Sequence, residues 1–137
     1  MKRAYFDASA IAKLIHEERE SLALIDFLDE PMEAVTSAVS GVEVPRALRR
    51  HGVAGEEVAE ALKGLIVVSV DADILARASA LEPTTLRSLD ALHLATALAV
   101  GTDGLQIVTY DERLAQAARE RGLTVVQPGR PNASAGA

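Results

Sequence analysis

Four acidic residues stand out among the 20 Asp and Glu of this 137-residue chain because of where they fall. Asp7 and Asp111 each follow an apolar run directly, Asp90 begins a segment that is apolar on nearly every side, and Glu43 lies between two valines. Carboxylates brought together would repel each other unless cations lay between them. Because an all-oxygen ligand set suits Mg²⁺ or Mn²⁺ rather than zinc, the pattern indicates phosphoryl chemistry at a divalent-metal site.

Three of the four acids also have a purely structural explanation. Asp111 is a good helix N-cap, and Asp90 would be favoured at the positive end of a helix dipole. Glu43 can pair with Arg46 three residues further on, an exposed pair of little energetic weight. Asp7 is the exception, since an acid at the end of a first, central strand is hard to explain as solvation.

The apolar runs and their boundaries predict an α/β domain. Strands are expected at residues 4–6, 34–36, 66–70, 105–110 and 124–126. Helices are expected at residues 9–16, 21–30, 37–52 with a kink at Pro45, 56–65, 71–82, 88–100 and 112–121. Strands separated by helices throughout indicate a mainly parallel central sheet.

The predicted sheet explains why the acids could meet. In open α/β sheets, ligands and metals are held in the crevice beyond the carboxyl ends of the strands. Asp7 and Asp111 both follow a strand directly, so we expect both at that edge, with the other two acids brought to the same place.

Composition limits the architecture and the classes of function. With 49% hydrophobic residues, the chain is long enough for one well-packed domain, expected over residues 1–126. Residues 127–137 are mostly Pro, Gly, Ser and Ala and are expected to form a flexible tail. The absence of cysteine excludes disulfides and Cys-based zinc sites. No stretch approaches membrane-spanning length, so we expect a soluble, cytoplasmic protein.

The charge balance bears on nucleic-acid binding. The formal net charge is −6, and aromatic residues make up 3% of the chain. Broad phosphate-backbone binding needs a basic surface, and single-strand stacking platforms need aromatic faces. An acidic protein can still act on a polyanion when metal ions neutralise its carboxylates and basic residues surround the site.

Four segments in order resemble the PIN-domain ribonucleases, and within them the VapC-type toxins of bacterial toxin–antitoxin pairs. The segments are residues 5–10 (YFDASA), 42–50 (VEVPRALRR), 89–97 (LDALHLATA) and 108–114 (VTYDERL). The resemblance runs from the first strand to the last. It implies a PIN-like three-layer α/β/α sandwich around the parallel sheet.

The resemblance assigns roles to particular residues. It implies that the acidic quartet binds Mg²⁺ or Mn²⁺ and is required for RNA cleavage that leaves a 5′-phosphate and a 3′-hydroxyl. It places small hydroxyls, Ser9 and Thr109, near the metal, although helix capping and a plain strand position explain them equally well. Lys13 and Arg46 become candidates for holding RNA phosphates. Further candidates are Arg49, Arg50, Arg87 and Arg113.

The resemblance also implies partners, namely RNA as substrate, a VapB-type antitoxin that blocks the site, and a second copy of the chain in a homodimer. Three other functions remain open from the residues themselves. The chain could be an aspartate phosphoacceptor domain, a metal-free ribonuclease that uses histidines, or a binding module whose acids are structural. His93 shares a helix face with Asp90 and is expected either to orient it or simply to pack.

Overall fold

The computed structural model describes residues 2–131 of the chain. Within this range the strands are β1 (Lys2–Phe6), β2 (Met32–Ser37), β3 (Ile66–Val68), β4 (Leu105–Val108) and β5 (Thr124–Val126). They form one five-stranded sheet in the order β3-β2-β1-β4-β5. Every neighbouring pair is parallel, which confirms the predicted α/β class.

Helices cover both faces of this sheet. Within residues 2–131 they are α1 (Ala8–Ile15), α2 (Ser21–Phe27), α3 (Ser40–Arg49), α4 (Gly55–Leu62), α5 (Ala72–Ser79), α6 (Ser88–Val100) and α7 (Glu112–Glu120). Helices α1 to α4 supply the core on one face. Helices α6 and α7 supply the core on the other, with α5 packed against α6. The result is the expected three-layer α/β/α sandwich.

Strand β1 is the centre of the sheet and joins the two cores. Side chains alternate along a strand, so Ala4 and Phe6 pack into the core under α1 to α4, while Tyr5 packs into the other. All three are fully buried. The chain passes from β1 to β2 on one side, and β4 lies on the other. The carboxyl end of β1 is therefore a topological switch point, where such sheets bind ligands.

Several elements are shorter than predicted, among them α2, α4, α5 and β3. In two more, α3 and β4, polar groups leave the regular pattern. Helix α3 begins at Ser40 rather than at Ser37, since Ser37 Oγ accepts a hydrogen bond from the Val39 N–H at 3.2 Å and forms a turn. Strand β4 ends at Val108, because the next backbone groups bond to side chains. The Thr109 carbonyl accepts from Gln127 Nε2, and the Tyr110 N–H donates to Ser9 Oγ.

Part of the predicted tail belongs to the folded domain. Tyr110 Oη donates a hydrogen bond to the Pro128 carbonyl at 2.7 Å, and the Arg130 guanidinium pairs with Glu20 and Glu112 at 3.0 Å each. Residues 127–130 thus pack on the domain instead of forming a flexible tail, while residues 132–137 lie outside the described range. In the described part of the chain, no helix is long and apolar enough to cross a membrane.

Candidate active site

Asp7 lies at the carboxyl end of β1 and caps helix α1. It is 3% exposed. Its Oδ1 accepts hydrogen bonds from Ser9 Oγ at 2.7 Å and from the Ala10 N–H at 3.0 Å, and its Oδ2 accepts one from Thr109 Oγ1 at 2.6 Å. Burial raises the pKa of Asp7, while nearby His93 and these donors oppose the rise. The carboxylate is fixed in one orientation by three donors.

Ser9 and Thr109 both donate hydrogen bonds to Asp7, so they do more than cap a helix or occupy a strand position. Asp7 caps α1 in place of Ser9. Each hydroxyl donates to Asp7 and also accepts a backbone N–H, from Tyr110 to Ser9 Oγ at 2.9 Å and from Asp111 to Thr109 Oγ1 at 3.0 Å. The two hydroxyls therefore join the end of β1 to the loop that follows β4.

Asp111 confirms the prediction that it caps a helix. Its Oδ1 accepts hydrogen bonds from the backbone N–H groups of Arg113 at 2.9 Å and Leu114 at 3.2 Å, at the start of α7. Both bonds use the same oxygen. The cap thus leaves Oδ2 of Asp111 outside these bonds, and capping does not compete with a second role for the carboxylate.

Glu43 and His93 form a pair that the sequence did not predict. His93 Nε2 lies 2.6 Å from Glu43 Oε1, and His93 Nδ1 lies 2.7 Å from Tyr5 Oη. Since a carboxylate accepts hydrogen bonds, Nε2 carries the proton, and in the neutral ring Nδ1 accepts from the tyrosine. The expectation that His93 orients Asp90 is wrong, because its ring bonds to Glu43 and Tyr5. The expectation that it packs holds, since the residue is 1% exposed, but it missed the bond to Glu43. Glu43 pairs with this buried imidazole rather than with Arg46.

Asp90 is a buried acid with an unpartnered oxygen and a raised pKa. It is 8% exposed, and its Oδ2 has no hydrogen-bond partner among the described residues. Burial, together with the negative charges of Asp111, Asp7 and Glu43, raises its pKa to about 6, against an opposing effect of His93. A buried, unpartnered carboxylate oxygen near like charges is unfavourable. A cation at this position would relieve it.

Three of the four acids line one cleft of about 260 Å³. Its lining is Glu43, Arg87, Ser88, Leu89, Asp90 and Asp111. Asp7 lies behind it, close enough for its charge to act on Asp90. Within residues 2–131, no three His, Asp or Glu side chains are yet arranged as ligands of one ion. The donor chemistry and the unpartnered Asp90 oxygen fit a hard divalent cation, and binding requires side-chain adjustment by the acids.

Lys13 does not fit the role of a phosphate ligand. Its Nζ lies 2.6 Å from Glu18 Oε2 and 2.9 Å from Glu20 Oε1, and its side chain is 11% exposed. The same ammonium lies 4.9 Å from the ring centroid of Tyr110. A lysine already neutralised by two carboxylates has no spare charge for RNA, so this expectation is corrected.

Arg46 is better placed for a substrate role. It is exposed and lines an apolar cleft with Glu43, which also lines the acidic cleft. Arg87 lines the acidic cleft itself. These two arginines bring positive charge to the mouth of an otherwise negative site.

Comparisons with known proteins agree with this geometry. A family model described as PIN domain matches residues 4–120. Ribonuclease VapC46 of Mycobacterium tuberculosis is 41% identical over 129 residues, covering 93% of this chain and 99% of the relative. Ribonuclease VapC35 of the same species is 44% identical over 130 residues, covering 91% and 96%.

Solved structures show the same fold. Mycobacterium tuberculosis VapC20, described as a sarcin-ricin loop cleaving toxin, superposes with a TM-score of 0.71 at 20% identity, covering 91% of this chain and 99% of that one. A toxin–antitoxin complex from Klebsiella pneumoniae gives a TM-score of 0.70 at 23% identity, covering 91% and 97%. The chain belongs to the PIN-domain family, among the VapC ribonucleases, which confirms the resemblance inferred from its sequence.

Proposed function

We propose that this chain is a metal-dependent endoribonuclease and the toxin of a type II toxin–antitoxin pair. Its metal ligands are Asp7, Glu43, Asp90 and Asp111, with Mg²⁺ or Mn²⁺ as the ion. The observation that carries the proposal is the buried Asp90 Oδ2, which has no hydrogen-bond partner among residues 2–131 and belongs to a cleft shared with two further acids. The ribonuclease names of the curated relatives support the reaction class.

The chain's own residues supply the geometry of the reaction. A divalent ion, when bound, supplies Lewis-acid stabilisation of the attacking water and of the charge that develops on the phosphate. Hydroxyl and backbone donors orient the carboxylates of Asp7 and Asp111. His93 holds Glu43 in the same way. Asp90 Oδ2 is free to accept a ligand or a proton.

Hydrolysis then proceeds at a backbone phosphorus. The water oxygen forms a bond to phosphorus, the bond from phosphorus to O3′ breaks, and a proton from the water ends on O3′. The products carry a 5′-phosphate and a 3′-hydroxyl. Arg46 and Arg87 hold the RNA phosphates beside the cleft, since guanidinium groups match phosphate oxygens in charge and shape.

The proposal includes protein partners. A VapB-type antitoxin is expected to cover the site, in line with the structurally similar toxin–antitoxin complex from Klebsiella pneumoniae. Two copies of the chain are also expected to form a homodimer. Light scattering on the purified chain, alone and with the antitoxin, measures both masses. A monomeric mass for the chain alone would remove the homodimer from the proposal.

Removal of divalent ions is expected to abolish cleavage. Total bacterial RNA incubated with the protein and Mn²⁺ should acquire new ends that carry 5′-phosphates, and EDTA should stop their formation because the carboxylates can no longer organise the attacking water. Sequencing of RNA 5′ ends, with and without prior phosphatase treatment, measures both the extent and the chemistry.

The same experiment, with a measurement of Mn²⁺ binding, separates two of the rival functions from the proposed one. A metal-free ribonuclease would continue to cleave in EDTA and, by using the ribose hydroxyl, would leave 5′-hydroxyl ends. A binding module would neither cleave RNA nor bind Mn²⁺. Either result would contradict the proposed function.

Substitution of His93 is expected to weaken the site without removing its chemistry. In His93→Ala, Glu43 Oε1 and the Tyr5 hydroxyl lose their common partner. Loss of a group that orients a metal ligand typically lowers metal affinity about 10- to 100-fold. Cleavage measured against Mn²⁺ concentration should therefore shift to higher Mn²⁺ and approach the wild-type rate at saturation.

The conservative variant His93→Gln is the matched control, because its amide N–H can still donate to Glu43. It should recover part of the lost Mn²⁺ affinity. If His93 were instead the catalytic base, activity would stay low in both variants at every Mn²⁺ concentration.

A further inference from the structure

Residues 127–130, which we call the C-terminal strap, follow β5 and return across the start of α2 and the loop between β4 and α7. Gly129 has φ +91°, and a Cβ there would lie 3.1 Å from the Cβ of Glu20 and 3.2 Å from that of Ala23. Both observations favour glycine at this position. The path of the strap is thus specified by close packing against α2.

Arg130 fastens the strap through three acceptors. Its Nε donates to Glu20 Oε2 at 3.0 Å, while its Nη1 donates to the Tyr110 carbonyl at 2.9 Å and to Glu112 Oε1 at 3.0 Å. The Glu20 side chain is 8% exposed and also pairs with Lys13. Hydrogen bonds from Lys13 and Arg130 lower the pKa of Glu20 to about 2. Arg130 therefore joins a charge network centred on the buried Glu20 side chain rather than forming an isolated surface pair.

Gln127 binds the same loop from the other end of the strap. Its Nε2 donates to the Thr109 carbonyl and to Glu112 Oε1, both at 3.0 Å. Together with Arg130, it contacts residues on both sides of Asp111. The loop over residues 109–112 is thus fastened from outside by side chains that lie 15 or more residues further along the chain.

The inner side of this loop faces the acidic site. Thr109 Oγ1 donates to Asp7 Oδ2 and accepts the Asp111 N–H. We propose that the C-terminal strap is a positioning element of the active site, in which Gln127 and Arg130 fix the loop so that Thr109 and Asp111 meet Asp7. The positioning of the loop by the strap is inferred from these contacts alone. Its effect on metal affinity rests on the proposed function.

The test compares the double variant Gln127→Ala/Arg130→Ala with wild type in two measurements. Amide hydrogen exchange of Asp111 in the metal-free protein, followed by NMR, should become about 10-fold faster or more, because its N–H acceptor Thr109 is released. The Mn²⁺ dissociation constant, measured by titration calorimetry, should rise about 10-fold. Exchange at the core strand β1 should stay slow.

Arg77→Ala is the matched control, since it also removes an Arg–carboxylate pair, to Asp73 at 2.8 Å on α5. It should change neither measurement. If the double variant does not fold, Gln127→Ala alone decides, because it keeps every Arg130 contact and removes the bond to the Thr109 carbonyl.

Each outcome has one interpretation. Unchanged Asp111 exchange in the strap variant overturns the positioning role. Equal acceleration of exchange in all strands also overturns it, since the strap would then act on global stability. Failure of the wild-type protein to bind Mn²⁺ overturns the proposed function, while the exchange result still decides the role of the strap.

Discussion

The Asp7→Asn variant is expected to lose RNA cleavage by about 100-fold or more, roughly 3 kcal/mol in activation free energy. The substitution removes the charge at the switch point of the sheet. It also replaces one acceptor oxygen by an amide donor, although Ser9 Oγ, the Ala10 N–H and Thr109 Oγ1 all donate to this side chain. The Thr109 hydroxyl, which already accepts the Asp111 N–H, would then have to accept from the amide instead of donating to a carboxylate. This weakens one of the contacts that join β1 to the loop carrying Asp111.

Loss of activity must be separated from loss of a helix cap. Asp71 offers the matched control, because its Oδ1 caps α5 by accepting the Ile74 N–H at 2.9 Å, as Asp7 caps α1. Asp71→Asn should therefore keep full activity. Cleavage rates on total RNA, with circular dichroism melting curves for each variant, measure both effects. Full activity of Asp7→Asn, or an equal loss in Asp71→Asn, would contradict the assignment.

The part of the site that follows from local chain order could be predicted from the sequence. Asp7 and Asp111 were placed correctly at one edge, because an acid after a buried strand must lie at the carboxyl end of the sheet. Asp90 follows from its place in the first turn of an apolar helix. The assignment of these acids as metal ligands remains a prediction.

The rest of the site depends on packing between elements far apart in the chain. His93 and Glu43 are 50 residues apart, and no spacing rule pairs an atom on α6 with one on α3. The strap shows the same limit. Its composition predicts a flexible tail, but a hydrogen bond from Arg130 to Glu20, 110 residues away in the chain, holds it on the domain. The roles of these polar side chains depend on hydrogen-bond partners that come close only in the folded chain, so the sequence alone does not reveal them.

Asp90→Asn is expected to stabilise the metal-free protein while abolishing cleavage. Two effects of Asp90 compete. An acid in the first turn of a helix gains about 0.3–1 kcal/mol from the dipole. Burial among like charges raises its pKa from the ordinary 3.8 to about 6, and two pKa units correspond to at most about 3 kcal/mol of lost stability. The burial cost is larger, so removing the charge should raise the free energy of unfolding by about 1–2 kcal/mol at pH 7.5.

The sign of the pH dependence follows from the same pKa. Between pH 4 and 6 the folded chain binds more protons at Asp90 than the unfolded chain does, so this group's contribution to stability is present below pH 4 and lost as pH rises through 6. Glu20 acts oppositely, because its pKa is lowered to about 2 and its contribution is lost as pH falls below about 4.5. The combined contribution of these two groups to the stability of the metal-free protein should therefore be largest near pH 4–5.

Urea unfolding in EDTA at pH 4.5, 6 and 7.5 measures the difference between Asp90→Asn and wild type, which should grow with pH. Asp73→Asn is the control, since Asp73 also lies in a first helical turn but is exposed and paired with Arg77. Asp73→Asn should lower the free energy of unfolding slightly at pH 7.5. Mn²⁺ at 100 times its dissociation constant should stabilise wild type by about 2.7 kcal/mol and the Asp90 variant far less. If Asp90→Asn were instead less stable than wild type, the main effect of the carboxylate would be its favourable interaction with the helix dipole. The cleft would then hold no unfavourable charge for a metal ion to neutralise.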